Sequence, residues 1–467
     1  MTIHVAIIGA YGSAGVAVAN GLADEADVQL TLVDDGEPGG GLCILRGCMP
    51  SKEVLSASAH KFHARHDPRL SDTPEVDLES VVNSKNEHIY DFAEHRRGAV
   101  HDLAERENVT FYHDTARFVD DHTIRIGDQE IEADYVVVAT GSVINVPDLP
   151  GIDDVDFMTS ADVLDTIRFP DSGIVMGFGY VGLELAPYLT EAAEMDITVI
   201  EHDPRPLDEA DSAFGDELLE IYRDDFGIDI LTETDEKRVE STDDGVRLYV
   251  EQDGEERAIE ADELFLFTGR RPNIERLGLE NTDLEPNPGW VMDTMQSRDD
   301  PRTFVVGDVN GKEPILHVAK EQGFKAAENV LAHARGNDLE PYENVHHHVI
   351  FSATGVYPFA RVGLSEDEAE SEGRDYVAVS RQASDDGVFK TKQASEGLAK
   401  LVVDADDGTV LGYQGLHYHA DVMAKTMQVV VEQGMDVRDV PDRAYHPTTP
   451  EILDGLFRDA SEEIGDN

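Results

Sequence analysis

Short apolar runs alternate with amphipathic stretches along the first 340 or so residues, a pattern typical of an α/β protein. Residues 4–8 and 28–33 are predicted strands, with a helix between them that ends at Leu22. The same order returns at 172–176 and 197–200, around a predicted helix at 183–189. The chain therefore contains two similar strand–helix–strand units.

The first unit has a glycine-rich turn after its first strand, Gly9-Ala10-Tyr11-Gly12-Ser13-Ala14-Gly15, and its second strand ends at Asp34. This order predicts a dinucleotide site, because a helix N-terminus binds pyrophosphate and the acid binds a ribose. The turn is one residue longer than G-x-G-x-x-G. An ordinary tight turn is the alternative. The predicted contacts are Gly9, Gly12, Ser13, Ala14, Gly15 and Asp34.

The second unit matches G-x-G-x-x-G without adjustment and predicts a second nucleotide. Its turn is Gly177-Phe178-Gly179-Tyr180-Val181-Gly182. Glu201, at the end of the next strand, would accept the ribose hydroxyls of NADH. His202 and Arg205 follow and could instead hold the 2′-phosphate of NADPH. The pattern alone slightly favours NADH.

The only two cysteines, Cys43 and Cys48, lie between a glycine run and an amphipathic stretch at 53–62. In a regular helix, residues at this spacing are too far apart for a disulfide, so a bonded pair requires a distortion that Gly47 permits. A thiol at a helix N-terminus near Lys52 is expected to have a lowered pKa. A redox-active pair is predicted; two small core residues are the alternative.

Composition narrows the function classes. The 467 residues carry a net charge of −60, which argues against general nucleic-acid binding. With 40% hydrophobic residues a packed core is expected, and the acidity indicates a high-salt environment. No apolar run could cross a bilayer and no signal peptide is evident, so a cytoplasmic protein without membrane contact is expected.

The cysteine stretch resembles that of the flavin-dependent pyridine nucleotide-disulfide oxidoreductases, which carry G-G-x-C-x-x-x-x-C-x-P-S-K. The resemblance implies FAD in the first unit, NAD(P)H in the second and a redox disulfide between Cys43 and Cys48. Leu42 departs from the family, which usually has threonine there.

Further family motifs follow in the expected order. Ala139-Thr140-Gly141-Ser142 resembles the end of the first flavin half, Thr268-Gly269-Arg270 the exit from the nucleotide domain, and Gly307-Asp308 the ribityl site. The resemblance implies flavin contacts at Gly41, Lys52, Thr140, Gly141, Asp308 and Ala319, and a nucleotide contact at Gly269.

The implied fold is α/β, with two Rossmann-like nucleotide-binding domains and a C-terminal α+β dimerisation domain. The predicted boundaries are 1–150 and 276–343 for the FAD domain, 151–275 for the NAD(P) domain and 344–467 for the interface domain. The resemblance implies a homodimer.

Four ionisable residues complete the implied catalytic set. His446 and Glu451 match the family's H-P-T-x-x-E motif, in which the histidine acts on the cysteines of the opposite subunit. Ala444 stands where a second histidine is frequent. Lys52 and Glu184 match an ion pair beside the flavin. A core histidine and two unrelated surface charges are the alternatives.

The substrate is expected to be a small disulfide. The acidic composition and variant active site resemble the reductases of bis-γ-glutamylcystine found in salt-adapted archaea, with dihydrolipoamide dehydrogenase as the alternative. This resemblance points to NADPH as the nucleotide. Mercuric reductase is disfavoured because no further cysteines exist. Flavoenzymes that reduce other acceptors are also less favoured. His346-His347-His348 is not expected to bind a metal, because adjacent strand residues face opposite sides.

Overall fold

The computed structural model describes residues 2–465, which form two compact units. The first unit comprises the chain up to Pro50 together with Lys85–Asn145 and Arg270–Asn344. The second comprises Ser51–Ser84, Val146–Gly269 and the chain from Val345. Each unit is therefore assembled from segments that are distant in sequence.

The strands are short, as expected for a chain of alternating elements. In chain order they are β1 (Ile3–Ile8), β2 (Val28–Val33), β3 (Val109–Tyr112), β4 (Ala116–Phe118), β5 (Thr123–Ile126), β6 (Gln129–Glu132), β7 (Tyr135–Val138), β8 (Ser142–Ile144), β9 (Met158–Thr159), β10 (Ser172–Met176), β11 (Asp196–Ile200), β12 (Asp229–Leu231), β13 (Thr234–Ser241), β14 (Val246–Gln252), β15 (Glu255–Ala261), β16 (Glu263–Leu266), β17 (Arg270–Pro272), β18 (Thr303–Val305), β19 (His347–Ile350), β20 (Phe359–Gly363), β21 (Tyr376–Gln382), β22 (Gly397–Asp404) and β23 (Val410–His417).

The helices vary from one turn to more than seven. They are α1 (Ser13–Leu22), α2 (Leu42–Leu45), α3 (Cys48–His66), α4 (Leu78–Ala104), α5 (Ser160–Asp165), α6 (Tyr180–Glu191), α7 (Ser212–Asp224), α8 (Leu316–Ala334), α9 (Glu366–Ser371), α10 (Gly387–Lys392), α11 (Ala420–Glu432) and α12 (Glu451–Gly465).

The first unit is built on a parallel sheet of order β18-β7-β1-β2-β3. Helices α1 and α8 cross closely because small residues line their contact: a Cβ on Gly323 would lie 2.5 Å from the Ala14 carbonyl oxygen. An antiparallel sheet β4-β5-β6 and a ribbon of β8 and β17 complete the unit. Strand β1 is central, so the loop after it opens at the carboxyl edge of the sheet.

The second unit contains two larger sheets. One is parallel, in the order β12-β11-β10-β16-β9, and the other is antiparallel, in the order β19-β20-β23-β22-β21. The antiparallel sheet buries one face against α11 and α12. The predicted α/β class, with two nucleotide-binding folds and a C-terminal domain, is confirmed.

A third sheet in the second unit, β13-β14-β15, had no counterpart among the predicted elements. Alternate residues of this sheet, including Val239, Leu248 and Val250, are buried against Ile174 and Leu264 of the parallel sheet. Its outward positions are charged, so the run lacks the continuous apolar character that marked the other strands. Within residues 2–465, no helix is long and apolar enough to cross a membrane.

Candidate active site

The cysteine segment is two helices separated by a break, which is the distortion that the spacing predicted. Helix α2 ends at Leu45, the following Arg46 has a non-helical φ of −145° and ψ of 15°, and α3 begins at Cys48. A Cβ on Gly47 would lie 3.1 Å from the Leu42 carbonyl oxygen and 3.2 Å from the Cys43 Cα. Glycine is therefore needed for close approach.

The two cysteines are brought together as thiols, with Cys43 half-buried and Cys48 exposed. A side-chain hydrogen bond with Cys48, together with burial, raises the pKa of the Cys43 thiol, while the charge of Arg96 acts in the opposite direction. The pKa of Cys43 therefore moves opposite to the lowering expected from a helix N-terminus and a lysine, because its neighbour and its burial raise it. Cys43 therefore needs a base to become a nucleophile.

The first glycine loop approaches the sheet closely. Gly9 has a φ of +98°, and a Cβ there would lie 2.3 Å from the Ala139 carbonyl oxygen. A Cβ on Gly15 would lie 2.2 Å from the Gly9 carbonyl oxygen. Gly12 is the N-cap of α1 and supplies no side-chain cap, so the N–H groups of the first turn, from Ser13 to Gly15, are open to an anion. The loop thus fits a dinucleotide phosphate.

The additional loop residue, Tyr11, turns into the protein. Its ring packs 5.3 Å from that of Phe111, and its hydroxyl lies 2.8 Å from His101 Nε2. Its N–H donates to Asp34 Oδ2 at 2.9 Å, and the N–H of Gly36 donates to Asp34 Oδ1 at 2.8 Å. Burial raises the pKa of Asp34 and these two hydrogen bonds lower it. Each carboxylate oxygen keeps acceptor capacity for a ribose hydroxyl.

The Gly41 backbone, with a φ of +80°, caps α2 and lies against Gly12, whose Cα would be 3.1 Å from a Cβ at position 41. The cysteine segment and the glycine loop are therefore neighbours in the first unit. The predicted site residues Gly41, Gly12 and Cys43 belong to one region of the fold.

The Thr140–Gly141 turn is held by Asn273, which belongs to a different chain segment of the first unit. Thr140 Oγ1 donates to the Asn273 carbonyl at 2.7 Å, and the Asn273 N–H donates to the Gly141 carbonyl at 3.0 Å. A Cβ on Gly307, the residue before Asp308, would lie 3.3 Å from the Ala319 Cβ. The flavin contacts predicted after β7 and after β18 therefore lie at the same edge of the parallel sheet.

Asp308 has partners that were not among the predicted site residues. Ser142 Oγ donates to Asp308 Oδ2 at 2.7 Å and accepts a hydrogen bond from Arg270 Nε at 2.9 Å. Burial lowers the pKa of Arg270, and the nearby Asp308 charge raises it. Both residues lay inside recognised motifs, but only the pairing of β8 with β17 brings them to the aspartate.

The second glycine loop repeats the design of the first. Gly177 has a φ of +94°, and a Cβ on Gly182 would lie 2.4 Å from the Gly177 carbonyl oxygen. Gly179 caps α6, and a Cβ there would meet no atom within 4 Å, so ligand approach is open. Val181 is half-buried in the first turn, and Gly269, with a φ of +81°, also faces open space.

Glu201 is anchored at the end of β11 by two backbone donors. The Phe178 N–H donates to its Oε2 and the Asp203 N–H to its Oε1, both at 3.0 Å. His202 lies 2.9 Å from Glu236 Oε2, and Arg205 Nε donates to Asp216 at 2.7 Å. Both candidate phosphate ligands are thus engaged with carboxylates.

Tyr180, at the first position of α6, is 42% exposed. Its hydroxyl donates to Glu209 Oε1 at 2.7 Å, and its ring stacks on that of His348, with centroids 5.4 Å apart. His346 Nε2 lies 3.0 Å from His348 Nδ1, whereas His347 contacts Gln428. Among residues 2–465, no group of three or more His, Cys, Asp or Glu side chains is arranged to hold a metal.

The predicted Lys52–Glu184 ion pair is present in the second unit. Lys52 Nζ donates to both carboxylate oxygens, at 2.6 and 2.7 Å. Glu184 Oε1 also accepts the N–H of Phe351 at 3.1 Å, and the lysine lies 4.6 Å from the centroid of that ring. Phe351 is a partner that the sequence did not indicate. With 14% exposure, Glu184 is a largely buried charge that is satisfied by its neighbours.

His446 and Glu451 also meet as predicted. His446 Nδ1 lies 2.9 Å from Glu451 Oε2, and the Thr448 N–H donates to Glu451 Oε1 at 2.8 Å. These contacts lower the pKa of Glu451, which keeps it a carboxylate. The imidazole is 79% exposed and retains Nε2 for another partner. An oriented, solvent-facing base can exchange a proton with a thiol presented to it.

Two family models together match most of the chain. The pyridine nucleotide-disulphide oxidoreductase model covers residues 3–323, and the dimerisation domain of the same family covers residues 349–456. The second match supports a homodimer. The family implies FAD and a nicotinamide nucleotide, and the first glycine loop fits the phosphate of such a cofactor.

Curated relatives have several names. A dihydrolipoyl dehydrogenase of Haloferax volcanii is 28% identical over 464 residues, which is 95% of this chain and 92% of the relative. A dihydrolipoyl dehydrogenase of Geobacillus stearothermophilus is 28% identical over 91% of this chain and 89% of the relative. A mercuric reductase of Bacillus cereus is also 28% identical, covering 92% and 67%.

Solved structures share the fold. The Cu(II) complex of the HOCl-induced flavoprotein disulfide reductase RclA from Escherichia coli has a TM-score of 0.81 at 23% identity, covering 98% of this chain and 99% of its own. LpdA from Mycobacterium tuberculosis has a TM-score of 0.82 at 22% identity, and the match covers 99% of this chain and 100% of LpdA. From its dithiol, its two glycine loops and these matches, the chain belongs to the pyridine nucleotide-disulphide oxidoreductase family, whose members are FAD-dependent enzymes acting on sulfur groups.

Proposed function

We propose that the protein reduces a low-molecular-weight disulfide, RSSR, to two thiols with electrons from NAD(P)H. The observation that carries this proposal is the pairing of Cys43 with Cys48 across a broken helix. Overall, NAD(P)H, one proton and RSSR give NAD(P)⁺ and two RSH. When bound, FAD supplies hydride acceptance and electron delivery to the cysteine pair.

The chain's own residues carry the thiol chemistry. Cys43 attacks one substrate sulfur as a thiolate and forms a mixed disulfide, releasing the first thiol. Cys48 then attacks the Cys43 sulfur, which releases the second thiol and closes the protein disulfide. His446 takes the proton of Cys43 and returns it to the leaving thiolate, acting across the homodimer. Its carboxylate partner, Glu451, orients the ring.

The proposed substrate is bis-γ-glutamylcystine or a disulfide of similar charge. Arg46 lies between the two cysteines and is exposed, and its guanidinium makes no hydrogen bond or ion pair with any other residue of the described chain. In a protein with 97 acidic and 37 basic residues, an unpaired arginine beside the dithiol supports an anionic substrate. Lipoamide, which carries no carboxylate, would gain nothing from this charge.

Dihydrolipoamide oxidation is the second candidate, because relatives of comparable length are named dihydrolipoyl dehydrogenase. Steady-state assays in molar salt with bis-γ-glutamylcystine and with lipoamide separate the two. We expect a higher kcat/KM for bis-γ-glutamylcystine, and Arg46→Gln should raise KM for that substrate by about tenfold, the loss of one charged hydrogen bond. Faster turnover of lipoamide would reverse the assignment.

The proposal requires Cys43 in particular. Cys43→Ser should abolish disulfide reduction, while the flavin remains bound and reducible by NAD(P)H. A Cys43→Ser protein that still turned over would favour a flavoenzyme that reduces a different acceptor.

For the nucleotide, the resemblance to bis-γ-glutamylcystine reductases predicts NADPH, which stays a prediction, but the side-chain contacts support NADH. Glu201 carries a charge where a 2′-phosphate would lie, and His202 and Arg205 already have carboxylate partners. Comparing kcat/KM for the two nucleotides at one salt concentration decides this. Glu201→Gln should reduce the ratio of kcat/KM for NADH to that for NADPH. A preference for NADPH in the unmodified protein would instead indicate that His202 and Arg205 leave their carboxylate partners for the 2′-phosphate.

We also propose that the enzyme works in a salt-rich cytoplasm. The support is compositional: a net charge of −60 and only two cysteines, both assigned to the reaction rather than to structural disulfides.

A further inference from the structure

The lengthened glycine loop uses its own N–H groups internally. Gly9 and Ala10 donate to the Val33 carbonyl, and Gly12 donates back to Gly9 at 3.3 Å. The N–H of the additional residue, Tyr11, donates to Asp34. Donors for a phosphate at this turn therefore come from the first turn of α1 alone, or from a side chain.

Arg96, on α4, is the side chain that reaches this turn. Its Nη1 lies 3.3 Å from Ser13 Oγ and 3.4 Å from the Tyr11 carbonyl oxygen. Both contacts are longer than a good charged hydrogen bond, and both use a single nitrogen of the guanidinium. The other donors of the fork remain for a ligand at the N-terminus of α1.

The charge of Arg96 is not neutralised within the described part of the chain. The side chain is half-buried and has no carboxylate partner, although acidic residues outnumber basic ones by more than two to one. Burial lowers the pKa of Arg96, and the nearby Cys43 sulfur acts in the opposite direction only when it is ionised. A partly desolvated cation is costly unless an anion satisfies it.

We propose that Arg96 binds the pyrophosphate of FAD at the first turn of α1, adding a charged side-chain contact to the lengthened loop. The inference rests on FAD occupancy of the first unit, which the family implies. Neither the glycine motif nor the cysteine motif contains Arg96. Helix α4 brings it to the loop because Ala93, one turn earlier, packs against Gly40: a Cβ on Gly40 would lie 3.2 Å from the Ala93 Cβ.

The test compares Arg96→Gln with Arg97→Gln in apoprotein reconstituted with FAD at fixed salt. Arg97 is the matched control, since it is adjacent, carries the same charge and donates to the Gly39 carbonyl at 3.1 Å. Flavin fluorescence should give a dissociation constant about ten- to a hundredfold higher for Arg96→Gln. The ³¹P resonances of bound FAD should shift in that variant and stay in place in Arg97→Gln.

Equal affinities for the wild type and Arg96→Gln, or equal losses in both variants, would overturn the proposal. If Arg96→Gln does not fold, Arg96→Lys decides: it keeps the charge but loses the fork, so the ³¹P resonances should move and unchanged resonances count against the proposal. A wild-type protein that binds no FAD would instead overturn the proposed function together with this inference.

Discussion

At the residue scale, the chemistry depends on how two ionisable side chains are matched. The pKa of Cys43 is raised by its contact with Cys48 and by burial, so the thiol is the stable form near neutral pH. Glu451 is held as a carboxylate by His446 and by a backbone donor. The imidazole is therefore fixed in orientation, and in the proposed mechanism it is the base that the Cys43 thiol requires.

The first prediction concerns that base. His446→Gln should lower kcat for disulfide reduction by about 10² to 10⁴-fold near neutral pH, the usual contribution of a positioned base. Because the Cys43 thiol has a raised pKa, its thiolate fraction grows as pH rises, and activity of the variant should recover in part at alkaline pH. A pH–rate profile measures this. A variant with wild-type rates, or with no alkaline recovery, would contradict the assignment.

At the scale of elements, the break between α2 and α3 brings the sulfurs together. A continuous helix would give each residue its usual hydrogen bond but would separate the thiols. Gly47 permits the break because no side chain stands between it and the preceding turn.

We therefore expect Gly47→Ala to destabilise the protein by about 1–3 kcal/mol, as overpacking usually does. The added methyl group would press on backbone atoms of Leu42 and Cys43, so the dithiol should also become harder to oxidise. Urea unfolding and a thiol–disulfide redox titration measure the two effects. Gly98→Ala is the control: it lies within α4 with nothing near its Cβ and should stabilise by about 0.5–1 kcal/mol. Similar behaviour of the two variants would refute this role of Gly47.

A second contact joins α3, α6 and the residue that follows β19 through Lys52, Glu184 and Phe351. Lys52→Met should destabilise by about 1–3 kcal/mol, less than for a fully buried pair because the lysine side chain is 31% exposed. Adding Glu184→Leu to the Lys52→Met variant should restore most of the lost stability, since no unpaired charge then remains. Lys61→Met, whose partner Glu194 is 69% exposed, is the control and should change stability by less than about 1 kcal/mol. Chemical denaturation of the wild type, Lys52→Met, Glu184→Leu and the double variant completes the cycle.

At the scale of the whole molecule, the net charge of −60 dominates. Screening shortens the Debye length from about 10 Å at 0.1 M salt to about 3 Å at 1 M, which relieves repulsion between acidic surfaces. We expect activity and the dimer to be lost reversibly on dilution from molar to about 0.1 M salt, as judged by turnover and sedimentation. A fully active dimer in dilute buffer would contradict the high-salt interpretation.

Local spacing predicted much of the site. The glycine loops, the cysteine pair and the two acid–base pairs, Lys52–Glu184 and His446–Glu451, each depend on residues whose types and intervals constrain geometry directly. The residues that were missed have no such interval. Ser142 and Arg270 meet Asp308 through paired strands, Phe351 meets Glu184 through a backbone N–H, and Arg96 approaches Ser13 from a helix more than eighty positions away.

By itself the sequence determined the α/β class, the two nucleotide-binding turns and the candidate chemistry, because turn geometry and hydrophobic period act over a few neighbouring residues. Only the tertiary structure decided whether the Cys43 pKa is raised or lowered and which carboxylates pair with His202 and Arg205. It also decided that Arg96, which has no carboxylate partner in the described chain, lies beside the first glycine loop. Those outcomes depend on burial and on charges brought together by packing, and neither quantity is a property of local sequence.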